Sequence, residues 1–397
     1  MALMPVAEAL ARILKNARPI AAENIPLGKS LGRVLAKAVS AKRDQPPFPA
    51  SAMDGYAVRS VDGATKLKLI GTSAAGHQFN GKLKTGHVVR IFTGAPVPKG
   101  SDAVVIQENT EAAGNTVTIL QAVRAGQNIR ARGLDFKKGE MLLPAGITIN
   151  ARDMGLAAAM NRDIISVRKK PRIAVIATGD ELVLPGGFPR ADQIISSNSN
   201  AIAAMAETFG ADVINCGIVK DNLKATERAI LKVSDVDVIV TTGGASVGDH
   251  DFIQQALRNI GVKIDFWKIA MRPGKPFMYG LKARQHVMGL PGNPVSALVC
   301  ARLFLKPLID ALLGLPAGDQ SVLARLGAPM HSNDSRQDYV RARLEIAPDG
   351  ARIATPFTVQ DSSMQRTLRD AHCLIIREPE AGEAHAGDLV SILKLDF

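Results

Sequence analysis

Cysteine is scarce in this chain of 397 residues: there are three, Cys216, Cys300 and Cys373. No two of them stand at CxxC spacing, so neither a zinc-thiolate site nor a disulfide framework is expected, and a reducing, cytoplasmic setting is. Aromatic residues are only 4%, and no basic run interleaves with them. A stacking platform for nucleic acid is therefore not expected, although the formal net charge is +12. That charge reads as a basic surface or as the counterpart of a small anion. Long uncharged apolar runs are missing too. The longest apolar stretch, "VSALVCARLFLKPLIDALLGL", contains Arg302, Lys306 and Asp310, so no membrane span is expected. The start, "MALMPVAEALARIL", carries Glu8 and no basic lead, and reads as an amphipathic helix rather than a signal peptide. No fixed-period repeat occurs, and neither GxxxxGK[ST] nor GxGxxG is present.

What is present divides by periodicity. Residues 5–17 place Leu10, Ile13 and Leu14 on one helical face. "AKRDQPPFPAS" (41–51) is a proline-rich break. From 60 to 149 short β segments alternate with glycine turns: "TKLKLIG", "HVVRIFTG", "DAVVIQE", "NTVTILQ". "NARDMGLAAAM" returns to helix with Asn150 as its N-cap. From "RIAVIATG" (172–179) onward, buried strands alternate with helices, the pattern of a parallel, doubly wound sheet. Past residue 318, "VRARLEIAPDG" and "DLVSILKL" restore short β segments. The expected fold is a multidomain α/β protein. Residues 1–40 and 138–168 form a small helical linking domain, 41–137 an inserted β-rich domain, 169–318 a doubly wound α/β domain, and 319–397 a C-terminal β domain.

Open α/β sheets bind ligands beyond the carboxyl ends of their strands. Here those ends carry "TGDEL" (Thr178, Gly179, Asp180, Glu181), "VKDN" with Asp221, "TTGGASVGDHD", "KIAMRPGKPF" and "GLPGNPVSA". Glycines such as Gly243 and Gly244 let backbone N–H groups approach a phosphate, and a helix expected to begin near Gly248 adds its positive end. Lys268, Arg272 and Lys275 form a cationic loop suited to an oxyanion. Against them stand Glu181, Asp221 and Asp251, carboxylates that beside a phosphate usually share a divalent ion, most often Mg²⁺. Asp249 and His250 read as bystanders.

The order of "PPFPASAMDGYAV", "FTGAPVP", "ATGDEL", "SNS", "TTGGASVGDHD", "KIAMRPGKPF" and "GLPGNPVSA" resembles the molybdopterin molybdenumtransferase family, of the MoeA type and similar to the E domain of gephyrin. The resemblance runs from about residue 5 to the end. It implies conversion of adenylylated molybdopterin and molybdate into molybdenum cofactor and AMP with Mg²⁺. It also implies that the doubly wound domain is MogA-like, a homodimer with a shared site, and protein partners in the adenylyltransferase and molybdoenzyme apoproteins. Carried over by position, Asp54, Asp135, Glu181, Asp221 and Asp251 would be catalytic, the last three also holding metal. Lys268, Arg272, Lys275, Ser246 and Arg341 would bind molybdate. Thr93, Thr178, Gly179, Asp180, Ser197, Asn198, Gly243, Gly244, Pro291, Gly292 and Asn293 would bind the pterin substrate.

From the residues alone, "MDGYAV" could be a hairpin turn, Thr93 a turn residue and Asp135 a turn cap. The sequence also departs from the family. Arg272 stands where lysine is frequent, "PPFPAS" lacks the acid–amide pair, and "VQDSSMQRTLRDAHCLI" lacks the Gly-Ser pattern of many members. Two rival readings remain: a molybdopterin adenylyltransferase, opposed by the β insertion and the C-terminal domain, and a non-catalytic cofactor-binding scaffold, opposed by the intact acids.

Overall fold

A computed structural model describes residues 3–243 and 252–397. The chain forms two compact units, Met1–Glu23 with Arg168–Phe397, and Asn24–Val167.

The first unit opens with α1 (Val6–Asn16), which buries Val6, Ala9 and Ile13, spaced three and four apart as one helical face requires. Its central sheet contains β1 (Arg172–Thr178), β2 (Asp212–Val219), β3 (Val238–Thr242), β4 (Lys263–Trp267), β5 (Met278–Lys282) and β6 (Gln285–Leu290). Helices α2 (Asn198–Thr208), α3 (Leu223–Lys232) and α4 (Phe252–Asn259) alternate with the strands. The order is β2-β1-β3-β6-β5-β4. Every residue of β1 after Arg172 is buried, as is the whole of β3. Such continuous apolar runs suit strands covered on both faces. Ile239 and Val287 share one cluster with Ile230 of α3 and Ile253 and Leu257 of α4.

The doubly wound plan is as expected, but one strand runs against it. β5 pairs antiparallel with both β4 and β6. Its hairpin to β6 turns at Ala283, which takes φ 53 without the glycine or asparagine that usually announces such a turn. Because only β5 is reversed, β4 still points its carboxyl end at the same rim as β1 and β3.

The expected long helix after residue 294 is helical throughout, as Pro294–Cys300, a wide π turn at Ala301–Leu305 and Lys306–Leu313. Pro307 has no N–H for the carbonyl four residues back, and its ring would crowd that carbonyl, so a widened turn just before it relieves both problems. The C-terminal strands close on themselves. Gln337–Ile346 pairs with Arg352–Pro356, then Val322–Leu326, Leu389–Lys394 and Cys373–Arg377, which returns to Gln337–Ile346. The small barrel encloses Leu326, Ala342, Ile375 and Ile392.

The second unit holds a six-stranded sheet in the order Ala103–Ile106, Gly55–Val58, His87–Ile91, Lys66–Ser73, Thr116–Ile119, Thr110–Ala113. Clusters around Val88 and Val105 on one face, and Val89 and Val104 on the other, bury both sides. In the same unit Ala151–Ala159 forms a helix, packed in a separate cluster with Leu35 and Val167, whose start is a complete capping box. Asn150 accepts from the Asp153 N–H, and Asp153 accepts from the Asn150 N–H.

Candidate active site

At the carboxyl rim of the first unit, β1 ends in Thr178 and turns at Gly179, whose φ is 153. A Cβ on Gly179 would lie 2.5 Å from the Glu181 carboxylate, so the missing side chain is what makes room for that acid. β3 is followed directly by Gly243, where φ is 89 and a Cβ would stand 2.2 Å from the Thr178 carbonyl oxygen. The two strand ends therefore approach as closely as their backbones permit. Asn198, the first residue of α2, ties the rim together. Its amide donates to the Gly292 carbonyl at 2.7 Å and to Thr242 Oγ1 at 3.2 Å.

Around these groups lies a cavity of about 480 Å³ lined by Thr178, Glu181, Ser197, Asn198, Gly243, Gly292 and Asn293. Ser363 and Gln365 of the C-terminal domain complete its wall. Gln365 donates to Ser197 Oγ at 2.6 Å, and Asn293 donates to Ser362 Oγ at 2.7 Å. Sequence reasoning did not pick out these three residues. The only trace was that "VQDSSMQ" is densely polar where the family pattern differs. The volume and the mix of amides, hydroxyls and one carboxylate suit a polar organic ligand. Pro291 stays behind this surface, its carbonyl accepting from Thr242 Oγ1 at 3.3 Å.

Asp180 and Asp221 meet at the neighbouring strand end, where the Asp221 N–H donates to Asp180 Oδ1 at 3.3 Å. Carboxylate oxygens are the hard donors that Mg²⁺ takes, and Glu181 and Asp221 are the described residues that could offer them. Asp251, Gly244 and Ser246 lie outside the described residues, as does the stretch near Gly248 where a helix was expected to start. Among the described residues no three His, Cys, Asp or Glu side chains are grouped to hold a metal ion.

The cationic loop follows β4. Lys268 adopts φ 69, and its ammonium sits 3.9 Å from the centre of the Trp267 ring. The loop is closed by the Lys268 N–H on Phe277 O and the Ile269 N–H on Lys275 O, both at 3.0 Å. Lys275 is exposed. Arg272 is already engaged. Its Nε donates to Asp338 Oδ2 at 2.9 Å, and Nη1 donates to Asp334 Oδ2 at 3.3 Å. The hydrogen bonds of Arg336, the larger cause, and the charge of Arg272 draw the exposed Asp334 carboxyl down to about 2. Arg341 is 1% exposed. Its Nε donates to Gln360 Oε1 at 3.1 Å, while Nη2 is buried without a hydrogen-bond partner among the described residues. Burial lowers its pKa.

In the second unit Asp54 precedes the strand Gly55–Val58 and accepts from the Thr93 N–H at 2.7 Å and the Thr93 hydroxyl at 2.8 Å. Those two bonds, backbone first, hold its carboxyl below the usual range, with Arg90 adding a smaller pull. The Arg90 guanidinium lies 4.9 Å from the ring centres of both Tyr56 and Phe92 and donates to Gly55 O at 3.2 Å. Gly55 is no hairpin turn residue. It lies in a strand, and a Cβ there would fall 1.9 Å from Val105 O. Asp135 is exposed, with its N–H on Gln45 O at 2.9 Å.

Family models match the chain in three consecutive stretches: the MoeA N-terminal region (domain I and II) over residues 4–161, a probable molybdopterin binding domain over 174–311, and the MoeA C-terminal region (domain IV) over 323–395. The chain is similar to the molybdopterin molybdenumtransferase of a Nostoc species, at 36% identity over 82% of this chain and 77% of that one. It is also similar to that of Haemophilus influenzae, at 34% identity over 94% of both. A crystal structure of a molybdopterin biosynthesis MoeA protein from Pyrococcus horikosii superposes with a TM-score of 0.88 at 28% identity, covering 100% of both chains. Matches along nearly the whole length, together with the same chain-long architecture, establish that the chain belongs to the molybdopterin molybdenumtransferase, or MoeA, family.

Proposed function

We propose that this chain inserts molybdate into adenylylated molybdopterin, releasing AMP and molybdenum cofactor. The observation that carries the reading is the cavity of about 480 Å³ at the strand ends, which Glu181 lines together with the hydroxyls of Thr178 and Ser197 and the amides of Asn198 and Asn293. Thr178, Ser197, Asn198, Gly292 and Asn293 would hold the pterin and its phosphate, with Gly179, Asp180, Gly243, Gly244 and Pro291 shaping the approach. Lys268, Lys275, Ser246 and Arg341 would face the oxyanion, and Arg272 belongs to the same loop. Glu181, Asp221 and Asp251 would act at the phosphoanhydride. These three would also hold Mg²⁺, which when bound neutralises charge on the phosphate oxygens and on the departing AMP. Asp54, Thr93 and Asp135 would serve the site from the second unit, in a cytoplasmic homodimer that shares each site between subunits. The adenylyltransferase that supplies the substrate and the apoproteins that accept the cofactor would be its protein partners. The four-part division at 1–40 with 138–168, 41–137, 169–318 and 319–397 is proposed with it.

The test is AMP release by purified protein given adenylylated molybdopterin with and without molybdate. Molybdate-dependent release, lost in E181Q and D221N, is expected. Adenylylation of free molybdopterin by ATP in the absence of molybdate would overturn the reading in favour of an adenylyltransferase, and binding without turnover in favour of a scaffold.

A further inference from the structure

The loop that carries the three cations is sewn to the C-terminal barrel. Met271–Arg272 pairs in parallel with Gln337–Asp338, and the Gln337 N–H donates to Ala270 O at 2.9 Å. Arg272 fastens this seam. Its Nε and Nη2 both end on Asp338 Oδ2, the first at 2.9 Å. Nη2 also donates to Asn333 Oδ1 at 3.2 Å, and Nη1 reaches Asp334 at 3.3 Å. The side chain of Asp338 is 11% exposed, and its other oxygen is buried without a hydrogen-bond partner among the described residues. Arg336 balances Asp334 at 2.7 Å, so two cations and two carboxylates make a neutral cluster. An arriving oxyanion meets a guanidinium that two acids already occupy. Taking it over would leave a buried carboxylate without its cation, which is strongly unfavourable.

We infer that Arg272 is a positioning residue. It fixes the loop through Asp338, and so sets Lys268 and Lys275 for the oxyanion, without touching the oxyanion itself. The inference rests on the reading of molybdate as a substrate. It also gives the arginine a reason: lysine could not reach Asp338, Asp334 and Asn333 at once from a planar fork.

The full-length chain tests it as wild type, R272K, R272Q, D338N and the double variant R272Q/D338N. Two quantities are read: half-saturation by molybdate in AMP release, and hydrogen exchange of the Lys268 and Ile269 amides. R272Q and D338N are each expected to raise half-saturation by a similar factor, about tenfold, with the double variant no worse than the poorer single one. Exchange at both amides is expected to quicken in all three. R272K, the mildest change, should show several-fold effects in the same direction. The inference is overturned if D338N, which frees the guanidinium, leaves half-saturation unchanged or lowers it while R272Q raises it, or if amide exchange is unaltered in every variant. A wild type with no molybdate-dependent AMP release would instead sink the proposed function, and amide exchange alone would then decide the positioning role.

Discussion

Thr93 spends both of its donors on a single oxygen of Asp54. The N–H at 2.7 Å and the hydroxyl at 2.8 Å end on Oδ1, and among the described residues Oδ2 accepts no hydrogen bond. The carboxylate is thus fixed in rotation and kept ionised, with one oxygen committed and the other presented outward. Replacing Thr93 by valine removes one donor while keeping the shape and the backbone bond. T93V is expected to lower turnover about tenfold, in the range of a lost hydrogen bond to a charged group, and T93S to stay near wild type. Steady-state AMP release measures both, and equal rates for the two variants would show that the hydroxyl does nothing for Asp54.

The approach of β1 and β3 at Gly243 gives a sharper prediction. In G243A a Cβ must occupy a position 2.2 Å from the Thr178 carbonyl, at φ 89. The strand ends have to part, at a cost on the order of 2 kcal/mol, and the cavity mouth changes shape. At Gly292 the nearest atom of the described residues to a new Cβ is the Gly243 Cα at 3.7 Å, so G292A is expected to fold with wild-type stability. Urea unfolding of the pair should separate them clearly.

Gln365 supplies the cavity wall from a domain remote in sequence, through its bond to Ser197 at 2.6 Å. Q365A should raise KM for adenylylated molybdopterin several-fold with kcat nearly unchanged, because the contact holds substrate surroundings and not the reacting phosphate. A fall in kcat at constant KM would place Gln365 nearer the chemistry than this.

His286, 2% exposed, shares a hydrogen bond with the Tyr279 hydroxyl through Nδ1 at 2.9 Å, and burial lowers its pKa from 6.5 to about 4. The unfolded chain protonates this residue near its ordinary value while the folded chain resists. Stability should therefore be constant above about pH 6.5 and decline toward pH 4, by on the order of 1 kcal/mol per pH unit. H286Q, which retains a hydrogen-bonding group for Tyr279 and does not titrate, should flatten that part of the pH profile in denaturant titrations.

The parts of the fold that were legible in sequence share a physical cause. Strands β1 and β3 are buried on both faces, so their apolar runs are unbroken, and the capping box at Asn150 is local by nature. β5 escaped notice because Ala283 turns the hairpin without a turn residue, and "KPFMYGLK" follows the cationic loop with no break. For the candidate site, the glycines and acids at the strand ends follow from the rim rule. The partners of those groups do not. Gln365 lies 168 residues from Ser197, Ser362 lies 69 from Asn293, and Asp338 lies 66 from Arg272. No local pattern encodes contacts of that range, and a polar run such as "VQDSSMQ" looks like any solvated loop until the barrel brings it to the rim.

Lys268 bends its backbone into the left-handed region, at φ 69, where a side chain costs about 1 kcal/mol and glycine or asparagine is at ease. Selection for thermostability alone would exchange this lysine for one of them, and the variant would gain in melting temperature while its cationic loop lost a charge. If Lys268 serves the oxyanion as proposed, heat tolerance and turnover pull apart at this position. A stabilised version of the enzyme assembled from the most favourable residue at every turn would therefore be assembled, here, against its own activity.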